Sequence, residues 1–292
     1  MENEISSCGL VKSPLDTRDR LLSAYSPLPV AIPKEFPPTF DLTVYNQGTE
    51  PSCVGYACAS IKEDKEIREN NRVAFDGSWI YSECKKIDGM PTVAGTFFRA
   101  GLKVLKEIGA KPKDGGDPAQ FKIGSYALVD DNSFEGLKRA FVVNGSLLIG
   151  YKYSKEGWKD AYIRPPAEGE KIVGHATKMI GYTEDHLIIQ NSHGEKIPKG
   201  RHYVPKGYDP IEAWAVLTDL PTGEVQYQGK IGWVAEKYLE DYKVAPEIGL
   251  RLRQGAGLEY QTIEVLLKGK EVEPLGERLF RDGYWWARVR VQ

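Results

Sequence analysis

No stretch of this 292-residue chain approaches the 18 consecutive apolar residues of a membrane-spanning helix, and it holds no long repeat or low-complexity tract. Cysteine is scarce: four residues, Cys8, Cys53, Cys58 and Cys84, with no C-x-x-C pair among them. The four histidines form no H-E-x-x-H, so neither a metal nor another cofactor is expected. Cysteines spread this thinly do not staple a fold, which leaves at least one thiol for chemistry in a reduced protein. A dominant charge is also missing. Lys and Arg number 39 against 41 Asp and Glu, interspersed throughout, for a formal net charge of -2. With no basic stripe to neutralise phosphates, nucleic acid is not an expected partner. The N-terminus, MENEISSCGLVKSPLDTRDR, has no basic start leading into an apolar run. No secretory signal is therefore expected and synthesis in a cytoplasm follows, with the final location open.

What is present is globular, with 41% hydrophobic and 11% aromatic residues, and the length exceeds one average domain. Residues 1–31, with Pro14, Pro27 and Pro29 and little periodicity, read as an extended arm. After Ser52 a helical pattern begins: Val54, Ala57, Cys58 and Ile61 recur at three- and four-residue spacings, and the charges from Lys62 to Arg68 predict solvated later turns. A second helix is predicted over 96–108, stopped by Gly109, and a third near 133–143. Strands are expected at 146–150, 175–182, 186–192 and 214–217. Past Pro221-Thr222-Gly223 the pattern turns all-β, with short strands between Gly-containing turns. The expected division is an arm over 1–31, an α+β domain over 32–221 and a small all-β domain over 222–292.

A thiol nucleophile works as the thiolate, and its pKa falls at a helix N-terminus beside a histidine. Cys53 stands where a helix pattern starts, directly after the turn-like Gly48-Thr49-Glu50-Pro51, whereas Cys58 lies one turn further in, on the apolar face. A base needs a rigid support and a third group to orient it. His175 and Asn191 are sixteen residues apart on two strand candidates, with Thr183 midway. A hairpin closed at Thr183 sets 175 and 191 opposite each other. His186, His193 and His202 read as surface or structural residues, His193 being the one within reach of the site.

Asn46-Gln47-Gly48, closed by Ser52-Cys53, resembles the nucleophile block of the papain-like (C1) cysteine peptidases. Gly174-His175-Ala176 with Ile180-Gly181-Tyr182 resembles their histidine strand, and Gln190-Asn191-Ser192 their asparagine strand. Ile32 to Phe36 with Phe40-Asp41-Leu42 is similar to the family's mature N-terminal segment. The order Cys, His, Asn is the family's order. The resemblance covers about residues 30 to 220 and implies a two-lobed fold, helical and β-rich, acting on a polypeptide substrate. It implies Cys53 as nucleophile, His175 as base, Asn191 as its orienter, and Gln47 as an oxyanion donor with the Cys53 N–H. By the same resemblance, Val173 and Ala176 line a substrate pocket and Gly95 holds substrate backbone. The chain departs from the pattern at Val54, where an aromatic is usual; at His193, where a shielding Trp is usual; and at Glu50, where many secreted members have a disulfide cysteine. The arm is shorter than the usual inhibitory pro-segment, and is not expected to fold as an inhibitor domain.

The stretch from Leu250 to Gly257, then Val265 to Gly269 and Asp282 to Val291, resembles a bacterial SH3-like (SH3b) domain. Such domains bind peptidoglycan or another protein, and Tyr227, Trp233, Tyr260, Tyr284 and Trp286 are the aromatic candidates for a binding face. The phrase Gly229 to Val234 comes first here, where the pattern places it last, which predicts a circularly permuted barrel with 225–234 paired beside the final strand; a strand donated by a second copy is the alternative. Three functional readings follow: a cysteine peptidase, an SH3b-targeted cell-wall hydrolase, and a catalytically inactive papain-like scaffold.

Overall fold

The computed structural model describes residues 8–24, 32–38, 42–68, 71–219, 230–246, 250–257, 260 and 262–291. Expectations about Phe40, Asp41, Pro221 to Gly223, Tyr227 and the first half of 225–234 lie outside the described residues. The chain divides into two compact units, Met1–Thr222 and Gly223–Gln292.

In chain order the first unit comprises helices α1 (Cys53–Arg68), α2 (Gly77–Ile87) and α3 (Phe98–Glu107), strand β1 (Ile123–Leu128) and helix α4 (Phe134–Asn144). Strands β2 (Leu147–Tyr153), β3 (Val173–Tyr182), β4 (His186–Gln190), β5 (Arg201–Pro205) and β6 (Glu212–Asp219) follow. The six strands form an antiparallel sheet in the order β1-β6-β2-β3-β4-β5. One core cluster joins α1 to α3 with Leu148, Ala176 and Trp214 of the sheet; a second joins α4 with Leu147, Ile149, Met179 and Ile189 from the sheet's other face. Helix α2 starts at Asp76, whose carboxylate accepts from the Trp79 N–H at 3.0 Å, and it crosses α1 closely. A Cβ at Gly55 would lie 2.2 Å from the Gly77 carbonyl oxygen, so only glycine permits that crossing.

The later turns of α1 are not solvated. Lys62, Glu63, Asp64 and Glu66 are all buried, because α1 runs between the other helices and β3. Lys62 pairs with Glu66 at 2.6 Å and Arg68 with Asp64 at 3.1 Å, while one oxygen of Glu63 accepts from the Thr43 hydroxyl at 2.6 Å. Buried charge is tolerated only when partnered in this way.

The second unit contains β7 (Lys230–Ala235), β8 (Leu239–Glu240), β9 (Lys243–Val244), β10 (Leu250–Arg253), β11 (Thr262–Leu266), β12 (Val272–Arg281) and β13 (Tyr284–Val291). Five of them form one sheet in the order β11-β10-β7-β13-β12. The unit's first strand pairs with its last, antiparallel, from Trp286 opposite Ala235 to Val291 opposite Lys230. Asp282 and Gly283 both have positive φ (52° and 77°), the geometry of the tight turn that closes the β12–β13 hairpin. Val234, Leu250, Leu252, Leu266, Val289 and Val291 make the core. Of the aromatic candidates, Trp286 is buried and donates its indole N–H to the Arg281 carbonyl at 3.0 Å, so it is a core residue. Trp285 and Phe280 are the exposed pair, with ring centroids 5.4 Å apart.

Candidate active site

Cys53 is the first residue of α1, at the end of the helix where the backbone dipole favours a thiolate. Its sulfur is buried, receives the Gly9 N–H at 3.4 Å, and is approached by the N–H of Ala176, the residue after His175. His175 lies on β3, wholly buried, and its Nε2 is 2.7 Å from Asn191 Oδ1. The hairpin register differs from the sequence expectation. Lys178 pairs with Gln190, and a bulge follows between Met179 and Gly181, so 175 and 191 are diagonal rather than directly opposite. Asn191 stands one residue past the end of β4, and its side chain reaches the imidazole across that diagonal.

The amide of Asn191 is held on every side. Its Oδ1 also accepts the Ser192 N–H at 2.7 Å, and its Nδ2 lies 3.3 Å from both His193 Nδ1 and His202 Nε2. His193 stacks on His175 with centroids 4.7 Å apart and planes 20° apart. Trp158 meets His175 edge-on at 5.6 Å and Tyr153 does so at 5.3 Å. An indole therefore does shield the pair, but it comes from the loop after β2 rather than from position 193. A cavity of about 180 Å³, lined by Trp158, Asn191, His193 and His202 among others, opens beside this cluster.

The arm occupies the cleft. Thr96 N–H donates to the Gly9 carbonyl, Val11 N–H to the Thr96 carbonyl, and Leu10 N–H to the Gly174 carbonyl, each at 2.9 Å. Three glycines make room for this track: added Cβ atoms would lie 1.8 Å from Gly9 O at Gly95, 2.0 Å from Leu10 O at Gly174 and 2.2 Å from Leu10 Cδ2 at Gly150. Further along, the Ser13 N–H and hydroxyl both donate to Glu212 Oε1, at 3.1 and 3.0 Å, and Arg99 Nε donates to Asp19 at 2.8 Å.

Of the remaining candidates, Gly95 lies against the arm's backbone, and Ala176 shares the apolar cluster that contains Leu10. Val173 packs with the cluster on the sheet's other face, and the arm contact falls to its neighbour Gly174. Gln47 is buried; its Nε2 donates to the Glu50 carbonyl at 2.9 Å and its Oε1 accepts from Ser192 Oγ at 2.6 Å. Cys58 is a core residue and no cysteine is in a disulfide.

Burial decides the protonation states. It pushes the Cys53 thiol up, only partly offset by the N–H groups directed at the sulfur. It pushes the His175 imidazole well down, helped by His193 and opposed by the Asn191 bond. Under the arm the two groups are thus a neutral thiol and a neutral imidazole, and among the described residues His175 Nδ1 has no hydrogen-bond partner, the Cys53 sulfur included. Ligand atoms of Cys8, His175 and His193 lie within 4.8 Å of one another. The near-parallel histidine rings aim their lone pairs in two stacked planes, which suits a packed cluster better than the shared in-plane point a metal ion requires.

The first unit has the papain-like cysteine protease fold. It resembles xylellain, a cysteine protease of Xylella fastidiosa, with a TM-score of 0.64 at 22% identity, over 73% of this chain and 97% of that one. It also resembles procathepsin B of Trypanosoma congolense, with a TM-score of 0.62 at 12% identity, over 76% of this chain and 89% of that one. In sequence, 190 residues are 25% identical to an uncharacterised peptidase C1-like protein of Acanthamoeba polyphaga mimivirus. That match takes in 53% of this chain and 61% of the viral protein, so the chain spans about six-tenths of its relative's length. No family model matches the sequence.

Cys8, Leu10, Trp158 and His202 are the site residues that sequence reasoning missed. Trp158 and the arm residues lie in segments without periodicity. His202 carried a usable signal: in the strand Arg201–Pro205 it alternates with Val204 onto the buried face.

Proposed function

We propose that the first unit is a cysteine peptidase, in which Cys53 attacks a peptide carbonyl and His175 takes the thiol proton at Nδ1 and later delivers it to the leaving amine. Asn191 holds the imidazole, and the Cys53 N–H with the Gln47 amide stabilises the oxyanion. The observation that carries this reading is the 2.7 Å bond from His175 Nε2 to Asn191 Oδ1, which leaves the ring's other nitrogen without a hydrogen-bond partner among the described residues.

In this reading residues 8–13 are an occluding segment and not a substrate. The Gly9 group facing the sulfur is an N–H, while its carbonyl is bound to Thr96, so the nucleophile meets no electrophilic carbon there. The arm also dehydrates the pair and favours its neutral, unreactive form. Displacing it readmits water, and with it the thiolate–imidazolium state. The test is epoxide labelling and peptide-library hydrolysis by the full chain and by Leu10→Asp, which forces a charge into the arm's apolar seat. Labelling confined to Cys53 and faster in Leu10→Asp is expected. Absence of labelling and hydrolysis in both would favour an inactive scaffold.

The second unit is proposed as an SH3-like binding module with its first strand permuted to the front. The β7–β13 pairing and the exposed Phe280–Trp285 pair support this. Its ligand is peptidoglycan or a protein; retention of the full chain on purified cell walls, lost in Trp285→Ala, would favour wall targeting.

A further inference from the structure

We propose that His202 is a positioning residue that sets the amide orientation of Asn191, and through it the tautomer of His175. The inference rests on the peptidase reading for its effect on turnover, but not for its geometry.

Two backbone groups beside Asn191 and His202 have fixed hydrogen-bond roles. The Ser192 backbone N–H can only donate, so the Asn191 atom 2.7 Å from it is the oxygen, and the NH₂ group must face His193 and His202. The Asp160 backbone carbonyl can only accept, so His202 Nδ1, 3.0 Å away, carries a hydrogen. A neutral His202 then has a bare Nε2, and that atom is the one lying 3.3 Å from the Asn191 NH₂. The two ends meet without conflict. The chain reads Asp160 C=O, His202, Asn191, His175, each group donating to the one before it.

The consequence lies at the far end. Because Asn191 presents oxygen to His175 Nε2, that nitrogen must hold the proton and Nδ1 is left with its lone pair, the form that can take a proton from a thiol. Charging His202 would set N–H against NH₂ and push the amide to flip. The site prevents this: His202 is buried against Trp158, and burial pulls its pKa below the usual histidine value. His193 accepts the second Asn191 N–H through Nδ1, but it is half-buried, whereas His202 is buried and anchored to backbone.

The test pairs two variants with two readouts. His202→Leu keeps the apolar contacts and removes the acceptor; His202→Gln retains an acceptor at the Nε2 position. In the full chain with ¹⁵N-labelled histidine, long-range ¹H–¹⁵N spectra at neutral pH should show His202 as the neutral Nδ1–H form and His175 as the Nε2–H form. His202→Leu should mix the His175 tautomers, and His202→Gln should restore the single form. In the Leu10→Asp background, His202→Leu should lower kcat about tenfold with KM unchanged, roughly the factor one neutral hydrogen bond is worth, and His202→Gln should recover it. An Nε2–H or charged His202, or a His202→Leu variant with both the His175 tautomer and kcat unaltered, would overturn the proposal. If the Leu10→Asp chain cleaves no peptide, the peptidase reading fails, and the His175 tautomer in His202→Leu still decides this one.

Discussion

At the scale of single residues, two buried cysteines five positions apart on α1 have different surroundings. Cys53 lies at the helix start under Gly9 and beside Ala176, while the Cys58 sulfur is wedged so closely against α3 that a Cβ on Gly101 would sit 2.5 Å from it. Cys53→Ala should therefore abolish hydrolysis without loss of fold. Cys58→Ala should keep activity and cost about 1–2 kcal/mol in denaturant melts, the price of a small cavity. Equal loss of activity in both folded variants would remove Cys53 from its role. Asn191→Ala should lower kcat by ~10²-fold or more with little change in KM, since its side chain touches the imidazole and not the substrate. His193→Ala should fall well short of His175→Ala, because His193 stacks on the base without bonding to its ring nitrogens.

At the scale of elements, the arm is an extended segment whose stretch over the nucleophile is held by three backbone bonds and seated by the buried Leu10 side chain. Seating Leu10 is worth ~2 kcal/mol, so Leu10→Asp should raise the rate of epoxide labelling by about 30-fold if arm release limits access. Glu212→Ala removes the acceptor of both Ser13 bonds and should act in the same direction, more weakly. This is also the scale at which sequence reasoning reached its limit. The helix start at Cys53 and the strands bearing His175 and Asn191 were legible because local periodicity and turn residues encode them. Their register was not: the hairpin turns at Glu184-Asp185 rather than at Thr183, and the bulge near Ile180 takes back only one residue of that shift. Helix α2 was overlooked although Asp76 caps it and Ile80 and Cys84 share its buried face. The charged half of α1 misled because polarity marks a solvated turn only where no other element covers it. The arm's course was unreadable: what holds it is a set of backbone bonds and missing Cβ atoms on distant segments, and neither leaves a pattern in residues 8–13.

At the scale of the whole molecule, buried imidazoles tie stability to pH. His175 and His202 both titrate below 6.5 in the folded protein, so as pH falls through about 6.5 the unfolded chain binds protons first. Stability should be full above that pH and decline towards the lower folded values. The melting temperature of the first unit should drop between pH 7 and 5, and His202→Leu should drop less. In the second unit, removing residues 285–292 deletes nearly all of β13, an interior strand, and should unfold that unit while leaving the first unit's melting transition in place. The pairing of β7 with β13 has a mechanical side as well. Lys230 and Val291 face each other across the ladder, at the same end of two interior strands. Tension applied through those two points loads the rungs singly, as a zipper is opened, and never shears them together. The unit should then yield at low force in an optical trap, with β7 and β13 peeling apart from that end while β10 and β11 are still joined.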